Sequence, residues 1–223
     1  MKNEMIEAAI FDMDGLLIDS EPMWKAAESS VFTSLGVDLN EVLTAKTATM
    51  TTREVAEFWY SQSPWAGKSL EAVEDDVITE VKRQILAEGT EMPSVSNTLE
   101  FFKERRIAIG LATNSPFKLI SVVFNKLGIA DYFDAISSSE FEARGKPAPD
   151  VYVSAAKKLG KPVEDCLAFE DSFTGLSAAK EAGMKTVVVP CLQEFEDPRF
   201  DISDLKLRSL AEFDEDCLMR LGG

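Results

Sequence analysis

The sequence contains no histidine, only three cysteines and a deficit of basic residues. Without histidine the chain cannot build a serine–histidine hydrolase triad, a histidine-ligated zinc site or a phosphohistidine. Acid–base chemistry must therefore come from carboxylates, lysine, tyrosine, cysteine or a bound metal. The 23 Lys and Arg residues stand against 39 Asp and Glu residues, giving a formal net charge of −16. Such a charge repels phosphate backbones, so we expect no binding to nucleic acids.

The cysteines and the lengths of the apolar runs indicate the cellular location of the protein. Cys166, Cys191 and Cys217 are widely spaced and form no CxxC pair, which is typical of reduced thiols in the cytosol. No apolar stretch approaches the roughly 18 to 20 residues of a membrane-spanning helix. No signal peptide is visible at the N-terminus, where acidic residues follow at once. We therefore expect a cytoplasmic protein with no membrane partner.

Five short apolar runs alternate with helical patterns along most of the 223 residues. This alternation predicts an α/β fold with a doubly wound parallel, Rossmann-like sheet, which binds ligands at the carboxyl ends of its strands. A strongly acidic segment, 194–216, is expected to form a solvated face around a last strand and helix. The five predicted strands are 8–11, 107–112, 135–137, 166–169 and 186–189. Three of the helical patterns between them have an apolar face that ends at a glycine: Phe117, Ile120, Phe124 and Leu127 before Gly128; Tyr152, Ala156 and Leu159 before Gly160; and Leu176, Ala179 and Ala182 before Gly183.

The segment 20–92 interrupts the alternation of strands and helices. Its apolar residues recur at helical spacing in three groups, which predicts an inserted small α-helical domain. We therefore expect a core domain of 1–19 and 93–223 and a helical domain of 20–92. The predicted helical faces are Trp24, Ala27, Val31 and Leu35; Val55, Phe58 and Trp59; and Leu70, Val73, Val77, Val81 and Ile85.

A pair of aspartates, Asp12 and Asp14, follows the first apolar run directly, and Gly15 permits a sharp turn after them. Two carboxylates so close together repel each other, which favours a divalent cation between them or a proton on one of them. A calcium-binding loop is an alternative for this pattern. That loop needs a third oxygen ligand before its glycine and polar residues after it, whereas the apolar residues 16–18 follow here.

A second acidic pair, Glu170 and Asp171, follows the fourth apolar run in the same manner. In the predicted sheet both pairs lie at one edge, and several carboxylate oxygens there suit Mg²⁺ better than a softer metal. The structural alternative is capping of the next helix by Asp171 or Ser172. The two functions are compatible because the residues can divide them.

Polar residues also follow the second run and precede a later helix. Thr113 and Asn114 could form an anion cradle at a helix N-terminus or simply cap the helix, with Ser115 as the N-cap residue. Lys146 lies in the proline-rich loop 145–150 and is a candidate phosphate-binding charge. The similar Lys161 follows the helix-ending Gly160, so we expect it on the surface.

Four strand ends thus contribute, in order, an acidic pair, a hydroxyl, a lysine and a second acidic pair. In this order and over nearly the whole chain, the sequence resembles the haloacid dehalogenase superfamily of phosphotransferases. The segment 11–15, Phe-Asp-Met-Asp-Gly, matches the first motif of that superfamily. Thr113 matches the second motif, Lys146 the third, and Glu170 with Asp171 the fourth. The inserted helices match a cap domain of the type found after the first motif.

The resemblance implies catalytic roles. Asp12 is the expected nucleophile, which forms an aspartyl-phosphate, and Asp14 the expected general acid and base. Thr113, Asn114 and Lys146 are expected to hold the phosphate. Mg²⁺ is the implied cofactor, held by Asp12, the backbone carbonyl of Asp14, Asp171 and, directly or through water, Glu170.

The small helical cap makes the finer resemblance one to the β-phosphoglucomutase-like group. Within it, the segments 16–22, 58–60 and 64–65 resemble bacterial phosphatases of 2-deoxyglucose 6-phosphate and hexitol phosphates. The resemblance implies a phosphatase of small sugar phosphates, with Trp24 and Arg53 selecting the substrate, and we expect a monomer. The mutases of the group carry a histidine where this chain has Trp24, which argues against a phosphohexomutase. That activity and a non-catalytic phosphate-binding regulator are the alternatives. For Trp24 and Arg53, a place in the core and a solvated position, respectively, are the structural alternatives.

Overall fold

The structure is a computed structural model, which describes residues 6–47 and 50–222. The chain divides into two compact units. The first consists of the described residues of Met1–Asp19 and Thr90–Gly223, and the second is Ser20–Gly89.

The chain re-enters the first unit at Thr90, three residues before position 93, where the sequence predicted the boundary. Glu91 forms an antiparallel bridge with Ile18, and the backbone N–H of Met92 donates to the carbonyl of Leu17 at 3.0 Å. These bonds tie the backbone just after Gly89 to the segment that follows the first strand. The apolar pattern could not indicate this because the bonds are made by the main chain.

The first unit contains a six-stranded sheet in which every pairing is parallel, so the predicted α/β fold is confirmed. The sixth strand is short and lies in the acidic segment where a last strand was expected. The strands are β1 (Ala8–Phe11), β2 (Ala108–Thr113), β3 (Ala135–Ser138), β4 (Cys166–Glu170), β5 (Lys185–Val188) and β6 (Leu205–Lys206). Their spatial order is β3-β2-β1-β4-β5-β6, with β1 and β4 at the centre.

Nine α-helices occur in the described residues, four of them in the second unit. They are α1 (Glu21–Ser34), α2 (Glu41–Thr47), α3 (Thr52–Gln62), α4 (Leu70–Glu88), α5 (Val95–Glu104), α6 (Phe117–Leu127), α7 (Asp150–Leu159), α8 (Phe173–Ala182) and α9 (Glu215–Gly222). Within 6–47 and 50–222, no helix is long and apolar enough to cross a membrane.

The glycines predicted to end three helices of the first unit do so. Gly128, Gly160 and Gly183 follow α6, α7 and α8 with positive φ angles, a conformation that glycine adopts without the steric cost of a Cβ. Burial along both faces of the central strands explains their continuous apolar sequences, since every residue of β1 and β4 is buried.

Three details of the predicted helices are wrong. Pro116 rather than Ser115 occupies the N-cap position of α6, and Phe117, predicted on the apolar face, is 46% exposed. The first helix of the second unit buries Met23, Ala27 and Phe32, whereas Trp24 is only half-buried. The predicted burial of Ala27 is therefore confirmed, but Met23 and Phe32 rather than Trp24 and Val31 are the large side chains that α1 buries.

Candidate active site

The register of the central strands brings Asp12 and Glu170 together. Phe11 of β1 pairs with Phe169 of β4, and their rings stack at 4.6 Å between centroids. The backbone N–H of Asp12 donates to the carbonyl of Phe169 at 3.0 Å. The residues that follow this pair, Asp12 and Glu170, therefore lie side by side at the carboxyl edge of the sheet.

The side chain of Lys146 joins these two carboxylates. Its Nζ lies 2.6 Å from Asp12 Oδ1 and 2.6 Å from Glu170 Oε1, and it donates to the Ala112 carbonyl at 2.8 Å. Only 5% of this side chain is exposed. Lys161, by contrast, lies on the surface and pairs with Glu7 at 2.8 Å, so the two similar lysines have different environments.

Asn114 fixes the backbone of the loop that carries Lys146. The side-chain Oδ1 of Asn114 accepts a hydrogen bond from the Lys146 N–H at 2.9 Å, and Nδ2 donates to the Lys146 carbonyl at 3.3 Å. A Cβ at the preceding Gly145 would lie 3.1 Å from Asn114 Oδ1, which is a tight approach. The asparagine therefore determines where the lysine side chain begins.

Three carboxylates form a cluster at this edge of the sheet. One oxygen each of Asp12, Glu170 and Asp171 lies within 4.8 Å of the others. Two glycines leave room for them: a Cβ at Gly15 would lie 2.1 Å from Asp171 Oδ2, and one at Gly175 would lie 1.8 Å from Glu170 Oε1. Gly15 also has a φ of 79°, so the turn expected after Asp14 is present.

Burial and mutual repulsion make it unfavourable to ionise the clustered carboxylates, as the pKa values of Asp12 and Asp171 indicate. Burial raises the pKa of Asp12 to about 7, aided by Glu170 and Asp14 and opposed by Lys146. Burial, followed by repulsion from Asp12 and Glu170, also raises the pKa of Asp171 well above its ordinary value. For Lys146 burial lowers the pKa, but the attraction of Asp12 and Glu170 outweighs burial and raises it.

This donor set fits a divalent cation. When ionised, the three carboxylates carry three negative charges against the single positive charge of Lys146, an excess of two in a largely buried site. Hard carboxylate oxygens are the ligands that Mg²⁺ and Ca²⁺ prefer. A nearby cation also favours the ionised carboxylates and would lower their pKa values. Three of the four predicted metal ligands, Asp12, Glu170 and Asp171, thus lie together.

The carboxylate of Asp14 lies outside this cluster. Its Oδ2 accepts a hydrogen bond of 2.5 Å from the hydroxyl of Ser115, whose backbone N–H donates to Thr113 Oγ1 at 3.0 Å. Ser138 in turn donates to the Ser115 carbonyl at 2.7 Å. The ends of β1, β2 and β3 therefore hold Asp14 apart from the three clustered carboxylates while leaving it close enough to repel Asp12.

The residues after β4 divide capping and clustering between them. The hydroxyl of Ser172 accepts a hydrogen bond from the Gly175 N–H at 3.0 Å and so caps α8. Asp171 therefore does not serve as the N-cap residue and belongs to the carboxylate cluster instead. Capping thus falls to Ser172, which leaves the Asp171 carboxylate available for the metal-binding role predicted from the sequence.

The two candidate substrate-selecting residues belong to the second unit. Trp24 is half-buried in α1. Arg53 lies at the start of α3, where its guanidinium is 3.7 Å from Glu57 and 3.8 Å from Glu74. The Arg53 side chain remains 45% exposed. Their part in recognising a substrate stays a prediction.

Sequence reasoning missed three side chains of this site. Ser115 was interpreted as a helix cap, the side chain of Asn114 was not used, and Tyr152 was seen only as part of an apolar helical face. The available signal was Tyr152 itself, because a buried tyrosine hydroxyl requires a hydrogen-bond partner. No pattern in the sequence indicates the partners of Asn114 and Ser115, which come from segments distant along the chain.

Comparisons with known proteins agree with this geometry. A family model described as haloacid dehalogenase-like hydrolase matches residues 6–183. Hexitol phosphatase B of Escherichia coli (strain K12) is 41% identical over 210 residues, which cover 93% of this chain and 94% of that protein. The phosphorylated carbohydrates phosphatase of Thermotoga maritima is 34% identical over 182 residues, covering 82% and 84%, respectively.

A solved structure supports the same assignment. CbbY from Rhodobacter sphaeroides in complex with phosphate matches with a TM-score of 0.85 and 27% sequence identity, covering 93% of this chain and 96% of that chain. Sequence and structure thus lead to one group of enzymes, and the resemblance inferred from the motifs is confirmed. The chain belongs to the haloacid dehalogenase-like hydrolase family.

Proposed function

We propose that the protein is a Mg²⁺-dependent phosphatase of small sugar phosphates, among them 2-deoxyglucose 6-phosphate and hexose or hexitol phosphates. The observation that carries the proposal is the contact of 2.6 Å between Asp12 and Lys146 inside a cluster of three carboxylates. The phosphatase relatives supply the substrate class, since two of them are named for hexitol phosphates and phosphorylated carbohydrates.

In the first step a carboxylate oxygen of Asp12 attacks the phosphorus atom of the ester. The bond between phosphorus and the sugar oxygen breaks, and its electron pair leaves with that oxygen. Asp14 donates a proton to the leaving oxygen, so the products of this step are a free sugar and a phosphoryl group on Asp12. Lys146 compensates part of the negative charge that the two reacting anions bring together.

In the second step water attacks the phosphoryl group. Asp14, now ionised, accepts a proton from the water, and the bond between phosphorus and the Asp12 oxygen breaks. Inorganic phosphate leaves and Asp12 regains its carboxylate, so one water molecule is consumed for each ester hydrolysed. The separation of the Asp14 carboxylate from the cluster supports this role, because a carboxyl group that binds a metal ion is not free to donate its proton.

Thr113 and Asn114 are proposed to bind the transferred phosphate. The Thr113 oxygen accepts a hydrogen bond from the Ser115 N–H. Its own hydroxyl hydrogen can therefore be donated to a phosphate oxygen. The side chain of Asn114 is committed to the Lys146 loop, which leaves its backbone N–H as the proposed phosphate contact.

Asp12, Asp171 and Glu170, together with the backbone carbonyl of Asp14, are the residues that would hold Mg²⁺. When bound, the ion neutralises the excess negative charge of the site and of the phosphate. The all-oxygen donor set supports this choice of cation.

We further propose that the helical unit Ser20–Gly89 is a cap domain of the kind that the family inserts after its first motif, and that Trp24 and Arg53 select the sugar. Resemblance to capped relatives is what supports this assignment. Arg53→Ala should then raise KM for sugar phosphates while leaving the hydrolysis of p-nitrophenyl phosphate little changed. Equal losses on sugar and non-sugar esters would contradict it. A monomeric state and a cytoplasmic location stay predictions.

Release of inorganic phosphate from a panel of hexose and hexitol phosphates, with Mg²⁺ and with a chelator, tests the proposal. We expect release that requires Mg²⁺, is lost in Asp12→Asn and persists in Asp131→Asn, which changes an exposed aspartate of the same unit. Turnover of β-glucose 1-phosphate without phosphate release would indicate the phosphohexomutase instead. Binding of phosphate without turnover of any ester would indicate the non-catalytic regulator.

A further inference from the structure

The phenol hydroxyl of Tyr152 lies beside the carboxylate cluster of the proposed reaction site. It lies in the first turn of α7 and is completely buried. Its hydroxyl donates a hydrogen bond of 2.7 Å to Glu170 Oε1, and the centroid of its ring is 4.9 Å from Lys146 Nζ. Burial, together with the charges of Glu170 and Asp12, raises the pKa of Tyr152 well above its ordinary value. The phenol therefore remains a hydrogen-bond donor.

The hydrogen bonds of Lys146 show why its position needs support. An ammonium group has three N–H donors, and those of Lys146 contact Asp12, Glu170 and the Ala112 carbonyl. A contact between Lys146 and a phosphoryl group must therefore replace one of these three. The contact with Asp12 is the one to be exchanged, because Asp12 loses its charge on becoming an acyl phosphate. Glu170 and the Ala112 carbonyl then remain as the anchors of the lysine.

Both carboxylate oxygens of Glu170 accept hydrogen bonds from the protein. Its Oε1 accepts from both Lys146 and Tyr152, and its Oε2 accepts from the Asp171 N–H and the Ser172 hydroxyl at 3.3 Å each. The bonds to Oε1 are the short ones, at 2.6 and 2.7 Å. Tyr152 is therefore the neutral donor that contributes most to fixing the oxygen to which Lys146 is bound.

We propose that Tyr152 is a positioning residue of the phosphoryl-transfer site. By holding Glu170, it keeps the Lys146 ammonium in place when the contact with Asp12 is exchanged for one with the phosphoryl group. This role rests on the proposed function. Tyr152 contacts neither Asp12 nor a substrate in this arrangement and acts only through Glu170 and Lys146.

The substitution Tyr152→Phe removes the hydroxyl and keeps the ring. We expect kcat for a hexitol phosphate to fall about 10- to 100-fold, as for other residues that orient a charged ligand, with KM changed by less than about twofold. Tyr132→Phe is the matched control, since it removes a hydroxyl that donates to Glu100 at 2.9 Å in the same unit. A kcat for Tyr152→Phe equal to that of the control overturns the proposal.

A double-mutant cycle separates positioning from mere stability. If Tyr152 acts through Glu170, the fall in kcat caused by Tyr152→Phe should largely disappear when Glu170→Gln is already present. Additive effects on kcat, with both single variants equally destabilised to heat, would mean that Tyr152 only supports the fold.

Two measurements keep the inference testable on its own. Affinity for orthovanadate, an analogue of the transferred phosphoryl group, should fall about 10-fold or more in Tyr152→Phe in the presence of Mg²⁺, even if wild type hydrolyses none of the esters offered. Weaker vanadate binding by Tyr152→Phe, together with no hydrolysis of any ester by wild type, would reject the proposed function but retain the positioning role of Tyr152. If Tyr152→Phe does not fold, the Tyr152 hydroxyl proton of wild type should shift in its NMR spectrum on vanadate binding, and an unmoved signal overturns the proposal.

Discussion

The side chain of Asn114 forms hydrogen bonds with both the backbone N–H and the carbonyl of Lys146, at 2.9 and 3.3 Å. This pair links the end of β2 to the loop before α7, 32 residues further along the chain. Asn114 thereby fixes the backbone of Lys146, whose own ammonium group contacts Asp12. The position of the lysine thus depends on a side chain that bonds to the lysine backbone rather than to the carboxylate that the lysine contacts.

Asn114→Ala should therefore lower activity through Lys146. Loss of two hydrogen bonds of about 1 kcal/mol each corresponds to a fall in kcat of about 10- to 30-fold. The backbone N–H of residue 114, the proposed phosphate contact, is kept. Steady-state kinetics on a hexitol phosphate measure the effect, with the exposed Asn125→Ala of α6 as control. Equal activity of the two variants would show that Lys146 needs no such support.

Gly175→Ala should damage the site without straining the backbone. The added Cβ would lie 1.8 Å from Glu170 Oε1 and would force that carboxylate to move. Alanine is otherwise better than glycine inside a helix such as α8, by about 1 kcal/mol. We therefore expect the Mg²⁺ concentration for half-maximal activity to rise and kcat to fall about 10- to 100-fold.

Gly128→Ala is the matched control for Gly175→Ala. Gly128 has a φ of 70°, and a Cβ there would meet nothing within 4 Å. This variant should lose about 1 kcal/mol of stability from backbone strain and keep its kcat. If Gly175→Ala instead behaves like Gly128→Ala in the activity assay, Glu170 tolerates displacement and its assigned role is wrong.

Asp14→Asn should separate the two steps of the reaction. A sugar leaving group needs a proton from Asp14, whereas p-nitrophenolate leaves without one. With p-nitrophenyl phosphate the variant should therefore release about one nitrophenolate per enzyme in a rapid burst and then stall, because the attacking water lacks its base. With a sugar phosphate, turnover should fall about 100-fold or more. Absence of the burst, with equal losses on both esters, would remove Asp14 from its role.

Glu28 in α1 should make the stability of the second unit depend on pH. It lines a cavity of about 140 Å³ together with residues that include Thr44 and Trp59, and burial raises the pKa of its carboxyl from 4.5 to about 7. The folded state therefore binds a proton more tightly than the unfolded state. As pH rises between these two values, the free energy of unfolding falls.

Glu28→Gln should remove this loss. After allowance for partial exposure, we expect the variant to exceed wild type at pH 8 by an extra stability on the order of 1 to 2 kcal/mol relative to their difference at pH 4.5. Thermal unfolding across this range provides the measurement. Glu88→Gln, which changes an exposed glutamate of the same unit, should show no such trend. Parallel curves for Glu28→Gln and wild type would mean that the Glu28 carboxyl is fully hydrated.

The sheet could be predicted because its signals are local. Buried parallel strands such as β1 and β4 read as continuous apolar runs, and Gly128, Gly160 and Gly183 mark the helix ends. The buried face of α1 was predicted only in part, because both Met23 and Trp24 are large and apolar and only packing decides between them. Helix α2 has too few apolar residues in its seven positions to produce a periodic signal.

The candidate site was only partly predictable. Asp12, Glu170 and Asp171 follow strands of a parallel sheet, so their proximity follows from topology once the strands are known. The hydrogen bonds of Asn114, Ser115 and Tyr152 join residues 18 to 101 positions apart. Such bonds leave no periodic trace, because they depend on the direction of individual side chains in the folded protein.

The measurement that tests the central claim most directly is mass spectrometry of enzyme quenched with acid during turnover of a sugar phosphate. We predict a single phosphoryl group on the peptide that contains Asp12 in wild type and none in Asp12→Asn. In Asp14→Asn the phosphoryl group should accumulate when p-nitrophenyl phosphate, whose leaving group needs no proton, replaces the sugar phosphate. A phosphoryl group on another residue, or undiminished turnover by Asp12→Asn, would contradict Asp12 as the nucleophile.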